Sequence, residues 1–271
     1  ETIAAVMTGS AADLADAFDS ITTHTAGMVF SGSSAATLAD LTTVNNATSA
    51  AVVLNSATKN ADYSGTAAAL ASAFTGITNA KGDLTASSGT AAASDLTTLD
   101  AATSGQVIAT AVTTITGTAT EIKAAIDDQA NLDTAADAAA TITGSTKASI
   151  SDLKSINDAT TGTITLNSQT TSGTHNGTAS DLVAAFNGIT NLSGGITLSA
   201  GNVTASDLNT LNAATSSTVD ASLVTNITGA AADTNTAYSA LGSGISGLNN
   251  EAVTLSDTSL AASVLNTLNS A

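Results

Sequence analysis

The phrase GTAAALASAFTGITN at residues 65–79 comes back as GTASDLVAAFNGITN at 177–191, with ten of fifteen positions identical. A second phrase, ASDLTTLDAATSG at 93–105, comes back as ASDLNTLNAATSS at 205–217, with ten of thirteen identical. The step from position 65 to 177 is the step from position 93 to 205, so both phrases return after the same long period. One period shared by two separate stretches marks an internal repeat. Such a repeat reads as stacked supersecondary units, each burying its face on its neighbours.

The first phrase defines a glycine-led half-unit that begins at Gly9, Gly65, Gly117, Gly177 and Gly229. Alanine stands two residues on (Ala11, Ala67, Ala119, Ala179, Ala231) and again eight residues on (Ala17, Ala73, Ala125, Ala185, Ala237). Nine residues on is a larger side chain: Phe18, Phe74, Ile126, Phe186 or Tyr238. Five residues on is Leu14, Leu70, Ile122 or Leu182, with Thr234 in the last copy. Offsets of 2, 5 and 9 lie on one face of a helix. Ser10, Thr118 and Thr178 each stand three residues before Asp13, Glu121 and Asp181, the spacing of a capping box.

The second phrase defines an Asp-Leu half-unit at Asp40-Leu41, Asp95-Leu96, Asp152-Leu153 and Asp207-Leu208, with Val264-Leu265 as its fifth form. Three residues after the leucine comes Val44, Leu99, Ile156, Leu211 or Leu268, and three further on Ala47, Ala102, Ala159, Ala214 or Ala271. This is again one helical face. Thr37, Ser149 and Thr204 supply the same cap.

Between the helices lie short β-branched stretches: Met28–Phe30, Val52–Leu54, Ile164–Leu166, Ile196–Leu198 and Val253–Leu255. A strand followed by a covering helix makes successive strands parallel. The expected fold is therefore α/β, a solenoid of about ten strand–helix rungs. A pure β-solenoid is the alternative. The whole chain, 1–271, reads as one array with repeats at 9–64, 65–116, 117–176, 177–228 and 229–271. Its last half-unit runs to Ala271 without a polar cap. The array is expected either to continue or to dock its open end on another copy.

Composition agrees with a thin core of small side chains. Hydrophobic residues make up 43% but aromatics only 2%, and charged residues only 10%. Twenty-two acids face five lysines with no arginine, for a net charge of −17. That balance repels phosphate and argues against nucleic acid and anionic membrane surfaces as partners. No segment reaches the ~18 apolar residues of a membrane span. With no cysteine there is no disulfide, zinc-thiolate or thiol nucleophile.

The chemistry-bearing residues are few. His24 and His175 sit in Thr-His-Thr and Thr-His-Asn contexts and read as exposed loop residues. No nucleophile elbow, P-loop or dinucleotide fingerprint is present, so the chain is read as non-catalytic. The calcium candidates are Asp127, Asp128, Asp133 and Asp137, against the competing reading of a solvated acidic helix. No cofactor is required, and calcium is the ion left open. Asn46, Asn176, Asn191, Asn202 and Asn226 head glycosylation sequons, which makes glycans a further candidate partner.

The runs ITGAAADTNTAYSA (227–240) and GISGLNNEAVTLSDTSLAASVLNTLNSA (244–271) resemble repeats in very large surface and secreted proteins of bacteria, cyanobacteria among them. The resemblance implies export, an extended repeat array and a cell-surface or filament role, and it brings no catalytic residues. The expectation is an extracellular structural protein that assembles with copies of itself as a surface-layer, sheath or filament subunit. The alternative is a rigid stretch of a large adhesin, stabilised by calcium, that contacts glycans or other surface proteins.

Overall fold

The computed structural model describes residues 5–127 and 130–269. The chain is α/β, with parallel strands in several open sheets and strand and helix alternating along the sequence. It divides into two compact bodies, Glu1–Gly117 with Glu121–Thr141 and Thr160–Thr163, and Thr118–Thr120 with Ile142–Ala159 and Ile164–Ala271.

The first body opens with β1 (Met7–Gly9), α1 (Ala11–Phe18), β2 (Met28–Phe30), α2 (Leu38–Ala47), β3 (Val52–Val53) and α3 (Ser56–Asn60). It continues with β4 (Tyr63–Gly65), α4 (Ala67–Phe74), β5 (Leu84–Ala86), β6 (Gly89–Ala92) and α5 (Ala93–Ala102). Then come β7 (Val107–Ala109), β8 (Val112–Gly117), α6 (Ala119–Asp127), β9 (Leu132–Thr134) and β10 (Ala139–Ile142). Its sheets run β1-β2-β3 and β4-β5-β7-β9, and β6, β8 and β10 lie side by side in that order.

The second body begins with α7 (Ile150–Ala159), β11 (Ile164–Thr165), α8 (Ser168–Ser172), β12 (His175–Gly177) and α9 (Ala179–Ala185). It continues with β13 (Ile196–Leu198), β14 (Gly201–Thr204), α10 (Ala205–Ala214), β15 (Val219–Asp220) and β16 (Val224–Gly229). It ends with α11 (Ala231–Ser239), β17 (Ile245–Ser246), β18 (Ala252–Leu255) and α12 (Ala262–Asn269). Its sheets run β12-β13-β15-β17 and β14-β16-β18.

Both half-units form the expected helices. Leu14, Leu70, Ile122 and Leu182 are buried, as are Leu41, Leu96, Leu153 and Leu208. Ser10, Thr178, Ser149 and Thr204 each accept a hydrogen bond from the backbone N–H three residues on, at 3.0–3.2 Å. At Thr37 the box is reciprocal, because the Asp40 carboxylate also accepts from the Thr37 N–H. A cap of this kind contributes about 1 kcal/mol.

The strands differ from the expectation in number. Six helices, α5, α6, α7, α10, α11 and α12, follow two strands rather than one. Strands of two to four residues are marginal alone. Here their side chains form buried columns. Tyr63, Leu84, Val107 and Leu132 stand in register across the first body, and His175, Ile196, Val219 and Ile245 across the second.

Threonine ties each unit to the one before it. The hydroxyls of Thr48, Thr103, Thr160 and Thr215 donate to the carbonyls of Ala26, Gly82, Ala138 and Gly194 at 2.6–2.8 Å. The same oxygens accept from the amides of Ala50, Gly105, Gly162 and Ser217 at 2.9–3.0 Å. One side chain thus fixes the exit of a helix and the approach of the neighbouring strand.

Candidate functional site

The two histidines correct the reading of exposed loop residues: His24 and His175 are each 1% exposed. His175 stands one long period after Tyr63 and fills the same place. Tyr63 meets Phe74 with ring centroids 5.3 Å apart, and His175 meets Phe186 at 4.8 Å. The His175 Nε2–H donates to the Thr170 carbonyl oxygen at 2.8 Å. Burial pushes this imidazole below its ordinary value; the Thr170 hydrogen bond pulls the other way and the Lys147 charge adds to the lowering.

His24 takes the place after Gly9 that Ala80 takes after Gly65 and Leu192 after Gly177. All three make a parallel bridge to the repeated threonine: His24 to Thr48, Ala80 to Thr103, Leu192 to Thr215. The position is apolar in the other copies, so the ring is packed rather than hydrogen-bonded. It leans on Phe18 at 5.1 Å, and neither ring nitrogen has a hydrogen-bond partner. A core poor in aromatics uses histidine as a flat filler at both places.

Asp127, Asp133 and Asp137, the acidic candidates among the described residues, are not drawn into one centre. Asp127 pairs with Lys123 one helical turn back, at 2.6 Å. Asp133 lies on β9 and Asp137 follows it, both exposed. Asp128 lies outside the described residues. Among the described residues no three His, Asp or Glu side chains converge as metal ligands. Asn46, Asn176, Asn191 and Asn202 are exposed and Asn226 is half-buried.

A second set of polar residues recurs with the long period and escapes a sequence reading centred on the helices. Asn55 and Asn167 cap the five-residue helices α3 and α8, accepting from Thr58 N–H at 2.8 Å and Thr170 N–H at 2.9 Å. Their amides each donate to three carbonyls of an earlier turn, at Ser31, Gly32 and Ser34 or at Thr143, Gly144 and Thr146. The fully buried hydroxyls of Thr58 and Thr170 accept from Ala36 N–H and Ala148 N–H, both at 2.9 Å. Asn45 and Asn157 reach from α2 and α7 to the last carbonyls beside α4 and α9. The signal is the repeated Leu-Asn-Ser-x-Thr at 54–58 and 166–170.

At the end of the second body, Tyr238 donates to the Glu251 carboxylate. Burial pushes the Tyr238 phenol far up, and the carboxylate adds to that. Burial alone would raise the Glu251 carboxyl, but the Tyr238 hydroxyl and the amides of Glu251, Asn249 and Asn250 together hold it below its usual range. Beside this pair lies an open cleft of about 370 Å³ lined by Tyr238, Val253, Leu265, Leu268 and Asn269. No helix among the described residues is long and apolar enough to cross a membrane.

No protein-family model matches the chain, and no curated protein matches it.

Proposed function

We propose that the chain is a non-catalytic extracellular structural protein whose repeat units stack as a solenoid and which self-assembles as a surface-layer, sheath or filament subunit. One observation supports this reading most. The polar side chains that recur with the long period, Asn45/Asn157, Asn55/Asn167 and Thr58/Thr170, hydrogen-bond one backbone segment to another well separated from it in sequence. The repeat therefore specifies a scaffold. The Ser/Thr/Asn-rich exterior and the net charge of −17 keep such a scaffold hydrated and away from polyanions. Its partners are copies of itself, and calcium would act at contacts between copies.

Negative-stain electron microscopy of the purified protein, with calcium and with a chelator, tests this. Ordered filaments or sheets are expected, and their loss in chelator would place calcium at the contacts. Isolated particles under both conditions would overturn self-assembly and favour a stretch of a large adhesin.

A further inference from the structure

Two asparagines are followed directly by glycine, Asn176 and Asn187. The side-chain amide of an asparagine is open to attack by the backbone nitrogen of the next residue, and glycine, with no Cβ, hinders that attack least. The fold treats the two pairs in opposite ways.

Asn176-Gly177 lies in β12, with Asn176 in register with Thr197 and Gly177 with Leu198. In this ladder the His175 N–H donates to the Gly195 carbonyl, and the Gly177 carbonyl accepts from the Ser199 N–H. The same parallel pattern spends the Gly177 N–H on the neighbouring strand and holds the pair extended.

Asn187-Gly188 lies in the turn that follows α9, and both residues are exposed. Gly188 has φ +75°, and a Cβ there would meet no atom within 4 Å. The hydrogen bonds of the turn pass over this pair. The Phe186 N–H donates to the Leu182 carbonyl at 3.0 Å, and the Ile189 N–H to the Phe186 carbonyl at 2.9 Å. Among the described residues no hydrogen bond holds the Asn187 side chain or the Gly188 N–H.

The earlier copy makes this turn without an amide. Gly76 has φ +76°, and Thr75 stands where Asn187 stands. What the position supplies in both copies is its backbone carbonyl. That of Asn187 accepts from the Asn157 amide of α7 at 2.9 Å, as that of Thr75 accepts from Asn45 of α2.

We propose that Asn187 is a site of spontaneous deamidation. The Gly188 nitrogen attacks Asn187 Cγ and gives up its proton, the bond from Cγ to Nδ2 breaks, and ammonia leaves a cyclic succinimide. Water then opens the ring. Opening at Cγ gives aspartate. Opening at the main-chain carbon gives isoaspartate, in which the backbone runs through Cγ, one methylene longer, and the former main-chain carbonyl is a carboxylate. Water is the only co-reactant. The isoaspartyl form lengthens the chain between Phe186 and Ile189, whose hydrogen bond closes the turn and whose side chains are buried. It also replaces the carbonyl that receives the Asn157 amide, so the junction of α7 with α9 is what the reaction loosens. The proposal is independent of self-assembly.

Ageing the whole protein in mildly alkaline buffer, followed by mass spectrometry of its peptic peptides, tests this. The peptide holding Asn187 is expected to gain one mass unit and to elute as two species, aspartyl and isoaspartyl, while the peptide holding Asn176 stays unchanged. In urea both peptides should convert at similar rates. Asn187→Thr, which restores the residue of the earlier copy, should remove the mass gain and leave the melting of the fresh protein unchanged. Asn187 intact in the folded chain over the time in which the urea-unfolded chain converts would overturn the site, and so would Asn176 converting as fast as Asn187 in the folded chain. The aged wild type should show a lower-melting fraction that grows with the isoaspartyl peptide, whereas Asn187→Asp, with the charge but not the longer backbone, should melt with the fresh protein. Aged protein that melts with the fresh protein despite its isoaspartyl peptide would overturn the loosening of the junction.

Discussion

His175 meets Phe186 edge to face, with ring centroids 4.8 Å apart and planes inclined at 70°. The arrangement repeats that of Tyr63 on Phe74, 5.3 Å apart at 66°. A phenol there is neutral throughout the physiological range, whereas an imidazole is not. Because burial lowers the His175 value, the folded chain resists a proton that the unfolded chain accepts below about pH 6.5. Stability is therefore full above that pH and falls as the pH drops towards the folded-state value. Urea midpoints measured at pH 7.5 and 5.5 should differ in that direction. His175→Tyr, which restores the residue of the earlier copy, should narrow the difference.

Gly82 and Gly194, one long period apart, lie against the backbone of an earlier segment. A Cβ on either would sit 1.9 Å from the carbonyl oxygen of Ala61 or Gly173. Neither obstacle is a movable side-chain tip, so the backbone itself must shift. Gly82→Ala and Gly194→Ala should each destabilise by about 3 kcal/mol, the upper end of ordinary overpacking. Gly188→Ala meets no atom within 4 Å but has φ +75°, so its smaller cost comes from backbone strain alone. Chemical denaturation of the three variants ranks them.

Asn167→Ala removes the cap of α8 and three amide-to-carbonyl hydrogen bonds in one step. A loss of about 1–2 kcal/mol is expected, with the same loss for Asn55→Ala. Hydrogen exchange locates the effect. The amides of Thr170 and Ala148 should lose protection in the first variant, and those of Thr58 and Ala36 in the second.

Leu153 and Leu265 occupy the same position in α7 and α12, but only the first is covered. Leu153→Ala should cost about 2–5 kcal/mol and Leu265→Ala only a few tenths in the monomer. Thermal unfolding at low protein concentration reads the contrast. Equal losses would mean that α12 is buried in solution.

The longer helices are legible because the glycine-led ones repeat a glycine, two alanines and, in all but the last copy, a leucine or isoleucine at fixed spacing, and because the Asp-Leu ones repeat an apolar residue and an alanine at three-residue steps, with Thr37–Asp40 and its counterparts as caps. The strands are half legible. Ile196–Leu198 stands out as β-branched, but Tyr63–Gly65 and Val107–Ala109 are too short and mixed for any period to show. Their conformation comes from register with a neighbour in space, which a local window does not contain. The histidines mislead for a related reason. Thr-His-Thr looks like a polar loop, yet His24 is placed by the bridge to Thr48, and only alignment with Ala80 and Leu192 reveals an apolar position. The asparagine clips at 54–58 and 166–170 follow β-branched residues directly and so look like the ends of strands. The acidic candidates have no repeat behind them, and the structure pairs Asp127 with Lys123.

Asn45 binds the carbonyls beside α4 and Asn157 those beside α9, so the two junctions are chemically interchangeable. A crossover between misaligned copies of the coding sequence, joining Ser64 to Gly177, would excise one whole period and leave α2 facing α9 with every partner it already knows. The reverse event would insert a period just as quietly. A change of length by one whole period would therefore leave the contacts between neighbouring units as they are.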